Sequence, residues 1–391
     1  MSDNIFSGVN QSVFDDRSVL SEDYTPERIL ERDDEIKQYR DALAQAIFGD
    51  APSNVMVYGN TGVGKTAVTD FVLDQLIEAA AEHDIQIDVL NVNCNESSAY
   101  NVSRKLINQI RGHNEKQFPK TGLSTQLAYE TLYEELHSLD GDVVFLVLDE
   151  IDHMSKADSF LYDLPRQASD TSDENLPLTL IGIANNFAFR QTLSAKTKST
   201  LRERELKFPP YNANELNSIL SDRRDKAFVD GAVEEGVIEY TSALAARDSG
   251  NARQALDLLD VGGGLTLSDG RDTVTVDDID AAKKQIERGE LESSLTTITE
   301  HQQIVLITLA RLEESDKTPV RVKRLYDSYE RVCEEMRKDP LTTTRAIRDH
   351  LGELAMQGFV DHYERNNGRR GGRYNEYELA IRPKFVFEIL D

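Results

Sequence analysis

Residues 59–66 read Gly-Asn-Thr-Gly-Val-Gly-Lys-Thr, a spacing of glycines, lysine and hydroxyl that suits phosphate binding. The glycines let the backbone fold tightly enough to aim its N–H groups at phosphate oxygens. Lys65 can reach the β- and γ-phosphates of a nucleotide, and Thr66 can ligate Mg²⁺. The sequence therefore predicts a phosphate-binding loop. The expected contacts are Gly59, Asn60, Thr61, Gly62, Val63, Gly64, Lys65, Thr66, Ala67 and Val68.

Two acidic residues follow an apolar run at 143–148 and form a second candidate for chemistry. We expect Asp149 to hold Mg²⁺ through water and Glu150 to orient or deprotonate an attacking water. The alternative is an acidic strand end that only faces solvent. The position of the pair, downstream of the loop in a chain where strands alternate with helices, favours the catalytic interpretation.

These residues need a scaffold, and the pattern around them predicts one. Apolar, β-branched runs alternate with helical patterns such as 65–80 and 127–139. Alternation of this kind is typical of an α/β fold with a parallel sheet covered on both faces. The predicted strands are 55–58, 87–92, 143–148 and 178–184.

After residues 208–211, Phe-Pro-Pro-Tyr, the strand signal fades, and helical patterns continue over 212–260. We expect Gly-Gly-Gly at 262–264 to break this helical run and residues 274–292 to open another helix. The pattern predicts a small all-α domain that follows the sheet domain.

A third unit begins near Thr299, where Thr299 and Gln302 have the form of a capping box. The capping box opens the first helix, and an apolar stripe at helical spacing indicates the second. A third helix is predicted over 341–357, with Asp339 as its cap and Pro340 in its first turn. Two strand-like runs at 359–365 and 373–379 complete the unit. The stripe consists of Val322, Leu325, Tyr329, Val332 and Met336.

Three helices followed by a two-stranded hairpin describe a winged helix, which binds DNA. Apolar residues at helical spacing, Ile347, Leu351 and Leu354, should face inward. The outward residues of the same helix are hydroxyls and arginines, which are suitable donors to bases and phosphates. A solvated helix face is the alternative. The predicted DNA contacts on this helix are Thr342, Thr343, Thr344, Arg345 and Arg348.

The turn between the two strand-like runs is basic and rich in glycine. Residues 365–373 hold four arginines and three glycines and no acid. Such a tip can enter a minor groove or grip phosphates as the wing of the winged helix. An arginine-rich hairpin that serves only solubility is the alternative. The predicted contacts are Arg365, Arg369, Arg370 and Arg373.

The chain is strongly acidic, with a formal net charge of −26 over 391 residues. Residues 296–391 carry 16 Lys and Arg against 17 Asp and Glu, so nearly all of the excess acid precedes them. Such charge suits a cytoplasm rich in salt, as in a halophile, because the screening length shrinks to about 3 Å at 1 M salt. An ordinary acidic cytosolic protein is the alternative.

The remaining composition favours a cytoplasmic, globular protein. The two cysteines, Cys94 and Cys333, are far apart in sequence and indicate a reducing compartment without a zinc site. The longest apolar run is too short to span a membrane. The N-terminus lacks the basic start and apolar segment of a signal peptide.

Residues 59–66 together with Leu-Asp-Glu-Ile-Asp at 148–152 resemble an AAA+ ATPase. Over residues 20–391, the chain resembles the archaeal replication initiators of the origin-recognition and cell-division-control type. The further segments that carry this resemblance are 23–36, 181–186, 206–216, 249–259 and the C-terminal helices with their hairpin. Residues 1–20 are expected to form a flexible N-terminus. The resemblance implies an AAA+ domain over 21–211, a helical lid over 212–295 and a winged-helix domain over 296–391.

The family resemblance also implies site residues. Asn185 is similar to the polar sensor that touches the γ-phosphate or its water, and Arg253 to a second sensor that reaches the phosphates from the lid. Tyr211 and Arg223 match positions that line the nucleotide site, and residues 26–32 should lie over the adenine. The implied cofactors are ATP or ADP and Mg²⁺.

One departure from the family concerns catalysis between subunits. In the family, an arginine just before Phe-Pro-Pro-Tyr can act on the ATP of a neighbouring subunit. Here Lys196 and Lys198 occupy that position, and Arg202 and Arg204 lie slightly downstream. Lysine supplies charge without the planar fork of arginine, so the sequence does not establish a trans-acting finger.

Three functions remain open on the sequence. The favoured one is a replication initiator that hydrolyses ATP slowly as a switch, binds double-stranded origin DNA and recruits or loads the replicative helicase. Its implied partners are this DNA, the helicase and other initiator copies on DNA, with no membrane. The alternatives are a DNA motor of the branch-migration type and an ATP-gated transcriptional regulator.

Overall fold

A computed structural model describes residues 13–22, 24–95, 97–112, 115–170, 177–366 and 373–390. The chain forms two compact units that divide between Ala282 and Lys283. Within the described residues, no helix is both long and apolar enough to cross a bilayer.

Among the described residues, the first unit contains five strands, ten α-helices and the start of an eleventh. The strands are β1 (Val55–Tyr58), β2 (Ile87–Asn93), β3 (Val143–Asp149), β4 (Leu178–Ala184) and β5 (Arg204–Lys207). The helices are α1 (Asp33–Leu43), α2 (Lys65–Ala81), α3 (Ala99–Arg111), α4 (Thr125–His137), α5 (Ala157–Asp170), α6 (Phe189–Thr192), α7 (Ala195–Leu201), α8 (Ala213–Ala227), α9 (Val237–Asp248), α10 (Ala252–Ser268) and α11 (Val276–Thr297), the last of which continues into the second unit.

The sheet is parallel throughout, with strand order β2-β3-β4-β1-β5. All four strands predicted from the sequence are present. The residues of β1 and the first six of β3 are buried, as expected for a sheet covered on both faces. The fifth strand was not predicted, because only Leu206 of β5 is buried and the polar edge strand lacks an apolar pattern.

The glycines at 262–264 do not break the helical domain as predicted, because helix α10 runs through them. A Cβ at Gly262 would lie 2.9 Å from Ile279, and one at Gly263 would lie 2.4 Å from the ring of Phe14. Both distances are too short for a side chain. Close packing of neighbours against the helix therefore compensates for the low helix propensity of glycine.

The start of the described chain also differs from expectation, since residues 13–20 belong to the packed structure. Val13, Phe14, Val19 and Leu20 are buried. The backbone pairs with the segment after α8, where Asp15 N–H donates to Ala227 O at 2.9 Å. A flexible N-terminus over the whole of 1–20 is therefore wrong for these eight residues. The prediction failed because their partners lie more than 200 residues away in sequence.

In its described part, the second unit is built on three helices, a three-stranded sheet and a terminal helix. Its helices are α12 (Glu300–Glu314), α13 (Val322–Glu335), α14 (Thr344–Met356) and α15 (Pro383–Leu390). Its strands are β6 (Val320–Arg321), β7 (Val360–Asn366) and β8 (Arg373–Leu379), in the order β6-β8-β7. The capping box predicted for α12 is present. Helix α15 was not predicted.

Helix α14 begins later than predicted. Thr343 is its N-cap, and its side chain accepts a hydrogen bond from Ala346 N–H at 3.3 Å. Asp339 and Pro340 precede the helix, so their predicted roles as cap and first turn are wrong. A threonine cap satisfies an otherwise unpaired amide at the helix start. Ile347, Leu351 and Leu354 are fully buried, as predicted.

Candidate functional site

The register of the parallel sheet brings the predicted polar residues together. Asn93 at the end of β2 pairs with Asp149 at the end of β3. Tyr58 at the end of β1 pairs with Ala184 at the end of β4, so Gly59 and Asn185 follow at the same edge. Ligands of open parallel sheets bind beyond the carboxyl ends of the strands. The candidate site therefore lies where the fold class places ligands.

The loop between β1 and α2 has the backbone geometry of a close-fitting anion cradle. Gly62 and Gly64 have φ values of +74° and +87°, a region that other residues rarely adopt. Gly59 has no room for a side chain, because a Cβ would lie 2.5 Å from Phe208 O. Helix α2 begins at Lys65, directly after the loop, and its N-terminus adds positive potential.

Lys65 is buried, and its ammonium group joins the loop to β4. Its Nζ atom donates to Gly59 O at 2.8 Å, to Asn60 O at 2.7 Å and to Asn185 Oδ1 at 2.8 Å. These three bonds use all three ammonium protons. Burial lowers the pKa of Lys65, although Asp149 and Asp152 oppose that shift. A phosphate oxygen would bind Lys65 by taking the place of one of these acceptors.

Thr66 and Asp149, the two predicted Mg²⁺ ligands, are in direct contact. Thr66 Oγ1 donates to Asp149 Oδ2 at 2.9 Å. Glu150 follows Asp149 in the left-handed region with φ of 53°, and its N–H donates to Asp149 Oδ1 at 2.8 Å. The Asp149 carboxylate is therefore held at both oxygens, by Thr66 and by the backbone of Glu150.

Asn93 is a site residue that the sequence analysis missed. Its Nδ2 donates to Glu150 Oε2 at 3.4 Å. A signal was available, because Asn93 follows a predicted strand and the ends of neighbouring parallel strands meet. Asp152 fixes the backbone of Asn185, because the Asn185 N–H donates to the two carboxylate oxygens of Asp152, each at 3.2 Å.

A cavity of about 360 Å³ opens beside this edge of the sheet. Its volume lies within the range of small-molecule sites, about 300–1,000 Å³. Its wall includes Thr61, Gly62, Gly64, Lys65, Thr66, Ala67, Val68, Asp149, Glu150, Asn185, Tyr211, Arg223 and Arg253 from the predicted set. Gly59, Asn60 and Val63 do not line it, and Val63 is fully buried.

Arg32 ends the 26–32 segment that the family resemblance places over the adenine, but it lies outside the cavity wall, and no contact with the phosphate loop was predicted for it. Its side chain is 2% exposed, and it donates to Val63 O at 3.0 Å and to Pro209 O at 2.8 Å. Its guanidinium lies 3.6 Å from the ring centroid of Tyr211. Arg32 therefore braces the phosphate loop from outside the cavity, a role that depends on contacts between distant segments.

Tyr211 and Arg223 both lie in the cavity wall and are buried. Tyr211 is 5% exposed, and a Cβ at Gly64 would lie 2.8 Å from its hydroxyl. Arg223 donates to Val19 O at 3.3 Å and lies 4.2 Å from the ring centroid of Tyr24. Burial lowers the pKa of Arg223 below its ordinary value. Arg223 thus connects α8 to the start of the described chain, while Tyr211 lies beside the phosphate loop.

Arg253 lies in the first turn of α10, beside the phosphate loop. The preceding residue, Ala252, donates its N–H to Gly62 O at 3.0 Å, which holds the helix start against the loop. Arg253 forms an ion pair of 2.8 Å with Glu22, and both side chains are about half exposed, at 47% and 56%. The guanidinium is accessible from the cavity.

The lysines in the place of the family's arginine lie on α7. Lys196 is exposed, with its Nζ 4.4 Å from the ring centroid of Tyr162, and Lys198 is partly exposed. Arg202 has a left-handed φ of 44° at the end of α7, and Arg204 donates to Asp41 O at 3.1 Å from β5. None of these four lines the cavity within the described part of the chain.

The second unit presents an exposed polar face on and before α14. Thr344, Arg345 and Arg348 lie on the helix, Thr343 caps it and Thr342 precedes it, and all five are exposed. The apolar side of the helix packs into the core of this unit. The face therefore offers hydroxyl and guanidinium donors on a rigid element.

The hairpin places two of the predicted arginines on its stem. Arg365 forms an ion pair of 3.2 Å with Glu376, and Arg373 forms one of 3.4 Å with Glu364. The stem is therefore partly neutralised, which the acid-free stretch at 365–373 did not suggest. Arg369 and Arg370 lie outside the described residues.

The residues of the cavity fit a nucleotide with Mg²⁺. The glycine cradle, the buried lysine and the start of α2 match the requirements of a phosphate, and the oxygens of Thr66 and Asp149 suit Mg²⁺. Among the described residues, no cluster of three His, Cys, Asp or Glu side chains forms an all-protein metal site. Mg²⁺ needs no such cluster, because it commonly keeps waters and substrate phosphates as ligands.

Comparison with protein families gives three matches in chain order. An AAA domain model matches residues 50–190, a Cdc6 AAA+ ATPase-type lid domain matches 217–284, and the CDC6 C-terminal winged helix domain matches 293–389. Together these models cover most of the chain.

Similar proteins cover almost the full length. The chain is 42% identical over 381 residues to ORC1-type DNA replication protein 8 of Halobacterium salinarum, spanning 97% of this chain and 96% of that protein. It is also 42% identical to ORC1-type DNA replication protein 11 of Haloarcula marismortui, over 97% and 91% of the two chains. The structure of the Aeropyrum pernix ORC1 protein in complex with DNA superposes with a TM-score of 0.84 at 31% identity, over 97% of each chain.

Proposed function

Because the chain belongs to the ORC1/Cdc6-type family of AAA+ ATPases, with close relatives in halophilic archaea, we propose that it is an ATP-controlled initiator of DNA replication. It binds origin DNA, and ATP binding and hydrolysis switch its state. The observation that carries the nucleotide part is the convergence of Lys65, Thr66, Asp149 and Asn185 at one edge of the sheet.

In this proposal, Lys65 and the loop amides bind the β- and γ-phosphates, and Arg253 approaches them from the lid. Thr66 and Asp149 hold Mg²⁺, which offsets the charge of the phosphates when bound. Glu150 accepts a proton from water as the water oxygen bonds to the γ-phosphorus and the bond to the bridging oxygen breaks. The products are ADP and phosphate. Asn185 orients the water, and Asn93 positions the carboxylate of Glu150.

Slow hydrolysis suits a switch better than a motor. The cavity is bounded by both the sheet domain and the lid, so ATP and ADP can favour different arrangements of these parts. In the ATP state, the protein recruits or loads the replicative helicase. We assign no trans-acting arginine finger, since lysines stand at the family position and lysine lacks the bidentate fork.

The winged helix supplies DNA binding. Thr342, Thr343, Thr344, Arg345 and Arg348 meet the groove, and Arg365, Arg369, Arg370 and Arg373 contact it from the hairpin, while the AAA+ domain adds further contacts. The exposed donor face of α14 and the DNA-bound Aeropyrum pernix relative support this part. In this proposal, the protein acts in the cytoplasm on origin DNA, together with other initiator copies bound there.

The decisive experiment maps DNA bound by the full-length protein in its host. Crosslinked DNA should be enriched at replication start sites next to repeats, and Lys65→Ala should reduce that enrichment. Binding confined to promoters without replication activity would instead indicate a transcriptional regulator. Steady, DNA-stimulated ATP turnover with strand displacement by the purified protein would indicate a motor.

A further inference from the structure

A segment at the start of the described chain runs from the lid to the phosphate loop along one wall of the cavity. We call residues 13–22 and 24–32 the N-terminal strap. Its first part packs on α8 and α10, its middle lines the cavity, and its last residue, Arg32, binds the loop. The strap is therefore attached at both ends to parts of the molecule that face each other across the nucleotide cavity.

The lid anchor of the strap is built around Phe14. Its side chain is 3% exposed, and its ring centroid lies 4.9 Å from that of Phe228. Backbone bonds flank it, since Asp15 N–H donates to Ala227 O at 2.9 Å and Val229 N–H donates to Val13 O at 3.1 Å. Gly263 provides the space for the ring, because a Cβ there would lie 2.4 Å from Phe14 Cζ.

A bidentate ion pair extends this anchor. Arg17 Nε lies 2.6 Å from Asp260 Oδ1, and its second nitrogen lies 2.8 Å from Oδ2, so the guanidinium fork is matched to the carboxylate of α10. The hydrogen bond raises the pKa of Arg17 further above its ordinary value. Val19 and Leu20, which follow, are buried.

Beyond the anchor, the strap becomes the wall of the cavity. Its lining residues are Leu20, Ser21, Glu22, Tyr24, Thr25, Pro26, Arg28, Ile29 and Leu30. Tyr24 is held by Arg223 of α8, whose guanidinium lies 4.2 Å from the ring centroid. Neither Phe14 nor Arg17 lines the cavity.

We propose that the N-terminal strap is a latch on the nucleotide, with Phe14 as a positioning residue that sets nucleotide affinity without touching the ligand. The inference rests on the nucleotide binding proposed above. While the anchor is docked on α10, the strap forms the cavity wall. If the anchor undocks, this wall is lost. The apparent affinity for the nucleotide then falls in proportion to the fraction of molecules with the anchor docked. By reciprocity, bound nucleotide stabilises the docked strap by the same factor.

Glu22 acts in the opposite direction but weakly. Its carboxylate pairs with Arg253 and would compete with phosphate for that guanidinium, so release of the strap also removes a competitor. Both side chains are about half exposed, and molar salt screens such a pair. The net effect of releasing the strap is therefore a lower nucleotide affinity, because release also removes the cavity wall with its apolar residues.

The test measures ATP affinity of the full-length protein by equilibrium binding in molar salt. Phe14→Ala should raise the Kd for ATP about ten-fold, as when the docked fraction falls to about one tenth. Gly263→Ala should act similarly, because its methyl displaces the Phe14 ring. Gly264→Ala on the same helix is the matched control, since its Cβ would lie 3.4 Å from the flexible end of Arg17. It should leave the Kd unchanged.

Two further readouts separate a latch from general loss of stability. Most of the effect of Gly263→Ala should disappear in a Phe14→Ala background, where the ring it displaces is gone. Amide exchange of residues 13–20 should slow when ATP is added to the wild-type chain. A wild-type Kd in both single variants, an equal loss in Gly264→Ala, or exchange indifferent to ATP would overturn the latch. Failure of the wild-type chain to bind ATP would instead overturn the proposed function.

Discussion

Lys65 Nζ and Asn185 Oδ1 lie 2.8 Å apart, which joins the phosphate loop directly to the end of β4. Residues 120 positions apart in sequence thus form one polar site, because β1 and β4 are adjacent in the sheet. A change at either position acts on both the phosphate contact and the group expected to orient water.

Lys65→Ala should abolish tight ATP binding, with a loss of at least about 100-fold, or about 3 kcal/mol. The reason is the removal of a buried cation that can form charge-assisted bonds to phosphate. Equilibrium binding of labelled ATP measures the change. Lys37→Ala, which removes an exposed lysine of α1, is the control and should bind normally. Unchanged affinity in Lys65→Ala would contradict the nucleotide assignment.

Glu150→Gln should keep ATP binding but lose hydrolysis by about 10²–10⁴-fold, the range for removal of a general base. The glutamine keeps the shape of the side chain and its contact from Asn93, but it cannot accept the proton of water. Phosphate release under single-turnover conditions gives the rate. Glu134→Gln, an exposed position on α4, should hydrolyse at the wild-type rate. If Glu150→Gln did so too, another base would have to be sought.

Arg345→Ala combined with Arg348→Ala should weaken duplex DNA binding by about ten-fold or more, because a good side-chain contact to a base contributes about 1–3 kcal/mol. Both arginines are exposed on the outer face of α14, so the fold should not change. Fluorescence anisotropy over a salt series measures the affinity and its salt slope. Lys317→Ala, at an exposed position after α12, serves as the control. Equal affinities would argue against α14 as the recognition helix.

Arg369→Ala with Arg370→Ala should also weaken duplex binding at high salt, on sequence grounds alone. The two residues are part of the basic stretch predicted to enter a groove or grip phosphates. The same anisotropy assay applies, with a duplex whose minor groove is widened as a second substrate. Wild-type affinity in the double variant would contradict the role of the hairpin.

Asp278→Asn should lower thermal stability at neutral pH, on the order of 5 °C in Tm. The carboxylate accepts bonds of 2.9 Å and 2.8 Å from Thr275 N–H and Oγ1 and pairs with Arg271, which hold the start of α11. The bonds from Arg271 keep the pKa of Asp278 well below its ordinary value of 3.8.

The pH dependence of this contribution follows from the direction of the shift. A depressed pKa in the folded state gives stability that is fully present above about pH 5 and lost as pH falls below 3.8. The difference in Tm between wild type and variant should therefore shrink in strong acid. Asp277→Asn, an exposed neighbour, should show no difference at either pH. A constant difference at all pH values would exclude the ionised pair as its cause.

The parts of the structure that the sequence predicted are those with strong local patterns. The four buried strands are uniformly apolar, and the loop at 59–66 has a spacing that needs one backbone shape. Parallel packing then brings Asp149 and Asn185 to the same edge without further information. The apolar stripes of α13 and α14 likewise fix which face of each helix is buried.

The parts that escaped prediction depend on distant partners. The glycines at 262–264 look like a helix break until Phe14 and Ile279 are seen to occupy the space that their side chains would fill. Arg32 carries no local signal, because its acceptors at Val63 and Pro209 lie on other segments. Strand β5 is an edge strand with one buried residue, so its pattern is polar.

The ion pairs on the hairpin stem bear on how the affinity of the proposed DNA complex would depend on salt. Arg365 and Arg373 already have carboxylate partners in Glu376 and Glu364, so contact with a phosphate exchanges one anion for another. Few counterions are then released from the complex, and the dependence of affinity on the salt concentration becomes shallow. A hairpin stem of this kind has a lower affinity for DNA in dilute buffer, and it loses less of that affinity when the ionic strength rises.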